Sequence, residues 1–536
     1  MSDLCPQLQS LLLQSCDDHY ETDLGAEGSE SSPQQDVYLQ ACREVGVVPV
    51  SYFLRHMNKT HVDLKHHGLG PRGARAMAAA LRINETITHL SLEDNWMEAE
   101  GLTHLVPALS ESNAIRELNL SSNHLGVQGS VVLSRMLLDN VSIIGLNLRY
   151  NGFSDLSAKH LAEALSANFR VTKLDLSHNE FCEKGGEYLG QMIAANEGLR
   201  ELNLSWNHIR MKGAIAVSAG LRVNGTLTVL DLSYNGFGNE GALALGEALR
   251  VNSSLLHLDI SCNRISNEGV RLICKGLESN ETMRVLKLPR NPITVEGAIT
   301  LLSSITKSPE SRLQELDISN VLVNEPFLSL LGAASTSHPA LRVLYAGKKG
   351  FTTKKRSARP DPMRVIQDFL DEHKLRMLDF FKNMDKDGSM RVPVSEFCRY
   401  MAAEGLPLDA AQIDSLVQRL DREQTGTIDY RDLVDSRKEM VKEERKQQRR
   451  RGRRERQERE RSERALKSFH NAVRALTPSP GSGASSAQFS VTPEGEAAEV
   501  AGCSAASGDW DAECSYQSQS HSEPVTPKRI ITPSIK

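Results

Sequence analysis

One short phrase recurs eight times between residues 87 and 293, and it constrains the fold more than any other feature of the 536-residue chain. Each copy is a variant of LRELNLSWN that ends on an asparagine, and 28 residues separate each of these asparagines from the next. They are Asn95, Asn123, Asn151, Asn179, Asn207, Asn235, Asn263 and Asn291. A fixed period of this size is typical of a solenoid, in which each repeat packs on its neighbours.

The residues of one repeat predict a strand, a turn and a helix. Leu202 and Leu204 alternate with polar residues, the pattern of a short strand buried on one face. The asparagine amide can satisfy backbone groups at the turn, so stacked asparagines would form a ladder. A glycine usually follows six residues later and opens an apolar helix such as AIAVSAGL. A second set of asparagines closes these helices, where we expect left-handed backbone: Asn140, Asn168, Asn196, Asn224, Asn252 and Asn280.

The phrase has the form L-x-x-L-x-L-x-x-N and resembles the leucine-rich repeat, in its ribonuclease-inhibitor type with a full helix in each unit. This resemblance implies an α/β fold: a right-handed horseshoe with parallel strands on the inside and helices on the outside. An all-α pair of EF-hand-like units and a long charged helix are expected to follow it. In such a fold, equivalent residues of successive repeats lie side by side and form columns.

Composition shifts predict seven segments along the chain. They are an acidic disordered N-terminus at 1–35, an N-terminal cap at 36–58, the repeats at 59–346, a linker at 347–361, the EF-hand-like pair at 362–436, a charged helix at 437–476 and a disordered Ser/Thr/Pro tail at 477–536.

Cysteine usage and hydropathy bear on the compartment. The nine cysteines are scattered, odd in number and without a CxxC pair, which favours a reducing compartment over disulfides or zinc. The first residues lack the basic region of a signal peptide, and no apolar run reaches the length of a membrane span. We expect a cytoplasmic protein without a membrane partner. The net charge of −5 specifies no partner by itself.

Side chains between the leucines and just before the asparagine are expected on the concave wall. Adjacent strands lie about 4.8 Å apart, so the aromatic residues before four successive asparagines would form one column. Large rings beside hydrogen-bonding groups are typical of protein-binding hot spots, although the rings could instead merely cover neighbouring strands. The predicted partner-binding residues are Tyr150, His178, Trp206, Tyr234, Asp175, Asp231 and Asp259.

Two twelve-residue loops, 385–396 and 421–432, resemble the calcium loops of an EF-hand pair. They suggest calcium, although the aspartate at the last position of the second loop favours magnesium or weak calcium binding, and no cofactor is required. Each loop has a defect: the first has Met390 where glycine makes the sharp turn, and the second ends on Asp432, which is short for bidentate binding. Weak calcium binding and a purely structural module therefore both stay open. The predicted ligand positions are Asp385, Asp387, Ser389, Arg391, Glu396, Asp421, Glu423, Thr425, Thr427 and Asp432.

The C-terminal sequence carries two weaker signals. Residues 437–464 hold 14 Lys/Arg against 7 Asp/Glu, with no aromatic residue for base stacking, which favours a solvated helix over nucleic-acid binding. Without apolar residues at heptad positions a coiled coil is not expected. RRRGRR at 449–454 leaves a nuclear location open. Ser/Thr-Pro pairs predict phosphorylation at Thr477, Ser479, Thr492, Thr526 and Thr532.

VVPVSYF, HHGLGPRG and DKDGSMRVPVSEF, together with the 28-residue repeats, resemble the leucine-rich repeat-containing protein 74 group over residues 36–436. The resemblance implies a non-enzymatic repeat protein. We therefore expect an interaction scaffold that binds a protein partner on the concave face. The alternatives are a small-GTPase regulator similar to the Ran GTPase-activating protein, and nucleic-acid binding through the Arg-rich helix.

Overall fold

The computed structural model describes residues 32–348, 361–382, 385, 387–403, 408–421 and 424–477. The chain divides into two compact units. The first comprises the chain up to Phe181 together with Ala195–Asn207, and the second comprises Cys182–Ala194 and the chain from His208 onward.

The first unit alternates short strands with helices. Its helices are α1 (Pro33–Val45), α2 (Ser51–His56), α3 (Gly70–Leu81), α4 (Glu98–Glu111), α5 (Gly126–Asp139) and α6 (Asp155–Ala167). Its strands are β1 (His61–Asp63), β2 (His89–Ser91), β3 (Glu117–Asn119), β4 (Gly145–Asn147), β5 (Lys173–Asp175) and β6 (Glu201–Asn203). Each strand pairs with the next in parallel, in the 28-residue register that the sequence predicts.

The second unit continues the alternation and then becomes helical. Its helices are α7 (Glu183–Ala195), α8 (Met211–Val223), α9 (Gly238–Leu249), α10 (Asn267–Leu277), α11 (Val295–Lys307), α12 (Glu325–Ser337), α13 (Pro362–Glu372), α14 (Met377–Lys382), α15 (Val394–Ala403), α16 (Ala410–Leu420) and α17 (Tyr430–Leu476). Its strands are β7 (Val229–Asp231), β8 (His257–Asp259), β9 (Val285–Lys287), β10 (Glu315–Val323), β11 (Arg342–Lys348), β12 (Arg391–Pro393) and β13 (Thr427–Asp429). Strands β7–β11 pair in parallel, and β12 pairs with β13 antiparallel.

Buried asparagines tie each turn to its neighbours. The side-chain amide of Asn123 donates to the carbonyl of Leu92 in the preceding repeat at 2.8 Å, and to Leu120 and Ser121 of its own repeat. Its side-chain oxygen accepts from the backbone N–H of Asn95 at 3.1 Å. The same set recurs at Asn151. The predicted ladder is therefore present, and it satisfies backbone groups that the turns would leave buried and unpaired.

Left-handed backbone occurs at a different place from the one predicted. The second asparagines are extended, with φ of −75° at Asn140 and −84° at Asn168, so the expectation of left-handed backbone there is wrong. Asn140 instead accepts from the N–H of Ile143 and donates to the carbonyl of Leu109, which an extended backbone permits. The left-handed residue is the one before each first asparagine, such as Tyr150 at φ 55°.

Helix α1 begins at Pro33, so the predicted boundary at residue 36 lies inside it. Ser32 and Gln35 form a reciprocal capping box, which fixes the start of the helix. Tyr38 of α1 and Phe53 of α2 are both buried, with ring centroids 4.9 Å apart at a near-perpendicular angle. Helix α1 packs against α3 of the first repeat, and the Asn84 amide donates to the Gln34 side chain at 2.9 Å.

The last repeat departs from the pattern where Val321 takes the position of the asparagine. Strand β10 runs for nine residues through the place where the other repeats turn. The neighbouring Asn320 accepts from the N–H of Arg290 at 2.9 Å, and its amide reaches the carbonyl of Asn291 at 3.4 Å. Most of the predicted linker, residues 349–360, lies outside the described residues.

Helices α13–α16 form a small separate core with the strand pair β12–β13. Its buried side chains include Phe380, Phe397, Leu416 and Ile428, and Met440 of α17 packs against them. Helix α17 is 47 residues long and starts at Tyr430, so the predicted segments 362–436 and 437–476 share one continuous helix. Its C-terminal part packs against α8 and α9. Among the described residues, no helix has both the length and the apolar character required to cross a membrane.

Candidate functional site

Three predicted residues of the first unit lie in one stack. The ring centroids of Tyr150 and His178 are 4.3 Å apart with planes 26° from parallel, and those of His178 and Trp206 are 5.0 Å apart at 14°. The two outer rings remain open to solvent, with Tyr150 51% and Trp206 45% exposed. We call these three residues the aromatic stack.

The backbone turn positions the stack. Each of its residues follows a strand and precedes a ladder asparagine, with φ of 55°, 54° and 54° along the stack. A non-glycine residue in this conformation is disfavoured by roughly 1 kcal/mol, so the surrounding turn has to impose it. Because the asparagine ladder fixes every turn alike, the three rings point the same way and meet.

Burial, helped by a neighbouring positive charge, favours the neutral form of the central ring of the stack. Burial lowers the pKa of His178 to about 4, the positive charge of Arg149 acts in the same direction, and Asp175 opposes them. The Arg149 guanidinium also lies 5.1 Å from the centroid of the Tyr150 ring, within cation–π range. At neutral pH the stack is therefore an uncharged, flat-sided surface with a cation at one end.

A row of polar side chains runs across strands β4, β5 and β6 beside the stack. Asp175 in β5 stands between Asn147 and Asn203 in the register, and the Asn203 amide donates to its carboxylate at 3.1 Å. The second carboxylate oxygen accepts from the N–H of Ser177 at 2.8 Å. The first unit thus places hydrogen-bonding groups next to large rings.

The remaining predicted wall residues lie in the second unit. Asp231 and Asp259 are register partners on β7 and β8. Burial raises the pKa of the Asp231 carboxyl above its usual value, although hydrogen bonds from Ser233 act against this. The phenol of Tyr234 accepts a hydrogen bond from the Arg290 guanidinium, which also lies over its ring. Of the four predicted aromatic residues, Tyr150, His178 and Trp206 form a stack in the first unit. Tyr234 contacts Arg290 in the second unit.

The two twelve-residue loops have matching backbone geometry. Asp385 accepts from the N–H groups of Ser389 and Met390, and Asp421 accepts from those of Thr425 and Gly426. The sixth positions, Met390 and Gly426, have φ of 62° and 73°. Met390 therefore adopts the left-handed turn that its side chain disfavours. Strands β12 and β13 join the loops, with Val392 opposite Ile428.

Acidic side chains of the first loop have partners within the protein. Asp385 and Asp387 turn carboxylate oxygens toward the loop N–H groups, and Glu396 lies 3.9 Å from the Arg399 guanidinium. Within the part of the chain that is described, no three His, Cys, Asp or Glu side chains are grouped as a metal site would require. The Arg391 carbonyl and Thr427 lie in these loops, whereas Glu423 and the side chain of Asp432 lie outside the described residues.

Thr477 is the one predicted phosphorylation site within the described residues. It is exposed and follows the last turn of α17, where its hydroxyl donates to the Val473 carbonyl at 3.1 Å. The sites Ser479, Thr492, Thr526 and Thr532, like most of the predicted segments 1–35 and 477–536, lie outside the described residues.

Sequence reasoning missed a contact surface on the outer faces of α8 and α9. Ile215, Ala219 and Leu243 occupy positions that face away from the strands, yet they are buried. The signal was present in the sequence, because charged residues fill these positions in other repeats, as Lys159 and Lys275 do. The interpretation of AIAVSAGL as a helix with a single apolar face did not take this difference between the repeats into account.

Comparison with known proteins defines the class of protein. A family model described as "Leucine Rich repeat" matches residues 84–106, 195–218, 223–246 and 251–274. The match falls on the strand, turn and helix units described above. The chain is thus an α/β leucine-rich repeat protein.

More specific likeness is confined to short stretches. The chain is 42% identical over 69 residues to human leucine-rich repeat-containing protein 74B, covering 12% of this chain and 18% of the relative. It is 41% identical over 63 residues to the mouse protein of that name, covering 12% of this chain and 16% of the relative. The chain thus spans less than a fifth of the length of these curated relatives. A solved internalin of Listeria monocytogenes aligns over 60% of this chain and 94% of its own at 16% identity, with a TM-score of 0.34.

Proposed function

We propose that this chain is a non-enzymatic scaffold that binds a protein partner through the strand face of its first unit, with the aromatic stack as the anchor. The observation that carries this proposal is a pair of large, half-exposed rings held against a neutral imidazole. Rigid aromatic side chains lose little conformational entropy on binding, and they dominate the energetics of many protein interfaces. Parallel-strand faces of repeat solenoids are extended contact surfaces.

The chemistry of the stack indicates the kind of contact. Its rings offer apolar area, Arg149 offers a cation, and Asp175 with Asn203 offers hydrogen-bond acceptors and donors in a parallel row. A partner segment that lays apolar side chains along the rings and polar groups along the row would satisfy both. No observation favours the GTPase-regulator alternative, and the nucleic-acid alternative stays a prediction for the Arg-rich helix.

Two finer parts of the proposal concern calcium and location. The paired loops, their shared hydrogen bonds to a first-position carboxylate and their left-handed sixth residues support an EF-hand-like module. We propose that it binds calcium weakly at most, because Met390 stands where glycine makes the sharp turn and Asp432 is short for bidentate binding. The nine cysteines are scattered, odd in number and without a CxxC pair, which supports a reducing, cytoplasmic setting.

Alanine substitution in the aromatic stack tests the scaffold proposal. Tyr150→Ala and Trp206→Ala each remove a ring while leaving a non-glycine residue in the left-handed turn, so the backbone strain is unchanged. We expect each variant to lower affinity for the partner at least about tenfold, as hot-spot truncations do. Affinity purification from cells, followed by titration calorimetry with the purified partner, measures this.

Phe169→Ala is the matched control. Phe169 lies in the same unit, is 68% exposed and follows helix α6, away from the stack. It should retain every partner that the wild type binds. If Tyr150→Ala and Trp206→Ala also retain all of them, with unchanged dissociation constants, the stack is not the binding site.

A further inference from the structure

The outer faces of α8 and α9 differ from those of the other repeat helices. At the second and sixth positions after the helix glycine, α8 has Ile215 and Ala219, and both are buried. Leu243 of α9 is buried in the same way. The corresponding positions of other helices carry charged or half-exposed side chains: Val131, Arg135, Lys159, Glu163, Arg271 and Lys275. A solenoid helix needs only one apolar stripe, so a second element must cover α8 and α9.

That element is the C-terminal end of α17. Its apolar side chains recur at helical spacing through Ala465, Phe469, Val473 and Leu476, which places them on one face. Phe469 is fully buried and Ala465 is 4% exposed, whereas the intervening Lys467 is exposed. Because α17 packs against α8 and α9, this stripe, with Phe469 as its anchor, is what covers the two outer faces.

The rest of α17 contributes little to holding that end in place. Residues 442–464 have no large apolar side chain, and most of them are exposed. One ion pair leaves the helix, from Glu444 to Arg364 of α13 at 3.5 Å, and its partners are both largely exposed. Others are local to the helix, such as Arg451 with Glu455 and Arg456 with Glu460, both at i,i+4. Such exposed pairs support the helix whether or not its end is docked. The C-terminal end of α17 is therefore held on α8 and α9 mainly by its own apolar side chains, and the rest of the helix links it to the helical core.

We propose that the outer faces of α8 and α9 form a docking site for an amphipathic helix, and that residues 462–476 occupy it as an exchangeable intramolecular ligand. The occupant is this chain's own helix, because Met440 near its start packs in the helical core of the same unit. About 70 Å of helix separates its two ends. A partner that presents a helix with an aromatic anchor at the Phe469 position would compete for the site. This surface is distinct from the strand face proposed above.

A peptide competition experiment on the full chain tests this. The probe is a fluorescein-labelled peptide of residues 462–476, and binding is followed by fluorescence anisotropy. Wild type should bind it weakly, since a tethered competitor acts at an effective concentration of about millimolar. Phe469→Asp frees the site and should bind the peptide at least tenfold more tightly. Phe469→Ala provides a milder release if the aspartate variant does not fold.

Three controls make the outcome decisive. His470→Asp, at an exposed neighbouring position, should behave like wild type. A peptide carrying Phe469→Asp should not bind, and adding Ile215→Asp to the Phe469→Asp chain should abolish tight binding. Equal binding by wild type and both Phe469 variants, or tight binding that survives Ile215→Asp, overturns the proposal. A concentration-dependent wild-type dimer that the Phe469 variants lose would assign the occupant to a second copy and overturn it as well.

Discussion

At the residue scale, the notable position is the one before each ladder asparagine. Asp94, Ser122, Tyr150 and Cys262 all adopt φ between 51° and 57° there, although none is glycine. The turn thus accepts any side chain at this position and directs it to the same side. What differs between repeats is only the chemistry presented, and in four successive repeats that chemistry is a flat ring.

His178 makes the stack sensitive to acid. Its folded pKa is about 4 and its unfolded pKa about 6.5, so between these values the unfolded chain binds more protons than the folded one. Stability from this residue is therefore complete above pH 6.5 and is lost as pH falls toward 4. Thermal unfolding followed from pH 7 to pH 4 should show a steeper loss for wild type than for His178→Asn.

The titration itself can be observed directly. In an NMR titration the His178 ring should shift with a midpoint near pH 4. A His178 midpoint at or above 6.5 would show that the ring is not enclosed by Tyr150 and Trp206. Identical pH dependence of wild type and His178→Asn would show the same.

At the element scale, the asparagine ladder holds successive turns together. Asn151→Ala would remove three hydrogen bonds from the amide, to Leu120, Leu148 and Arg149, and one accepted from the N–H of Asn123. Several buried backbone groups would then lack partners, so we expect a loss of about 3 kcal/mol in unfolding free energy. Chemical denaturation measures the loss.

Asn147→Ala is the control for the ladder variant. Asn147 is half-exposed on the adjacent strand and accepts one hydrogen bond, from the Arg149 N–H. Its replacement should change the unfolding free energy by less than about 1 kcal/mol. Equal effects of the two substitutions would mean that the ladder bonds do not stabilise the turn beyond an ordinary surface amide.

The first twelve-residue loop permits a gain-of-function test of weak calcium binding. Met390→Gly relieves a left-handed residue, at φ 62°, that disfavours the sharp turn by about 1 kcal/mol. Calorimetry on the full chain should then show calcium affinity up to about fivefold above a wild-type value near millimolar. Asp385→Asn in the same background should remove the heat. If Met390→Gly also gives no heat, the loops are structural only.

At the scale of the whole molecule, charge and packing are distributed unevenly. The chain is mildly acidic overall, while the middle of α17 is basic and exposed. Within the second unit, one helix links the small helical core to the outer face of two repeats. Any contact that pulls on the first half of α17 therefore acts on the helix whose end covers α8 and α9.

Local periodicity predicted the repeats because each one depends on its own 28 residues. The parallel strands, their register and the Asn151 type of ladder all follow from spacing in the sequence. The docking of Phe469 on α8 and α9 did not, because it joins residues more than two hundred positions apart and no repeat marks it. Stack formation by His178 was predictable from the register, but the depressed pKa of its ring required the surrounding burial and the Arg149 charge to be known.

At the left-handed position before each asparagine, the requirements of folding differ from those of partner binding. Glycine would enter that backbone conformation more readily than Tyr150 or Trp206 does, so losing a ring there need not weaken folding. The side chain at this position can therefore change in any one repeat while the repeat fold is retained. The proposed contact surface is therefore one that the repeat architecture leaves free to vary.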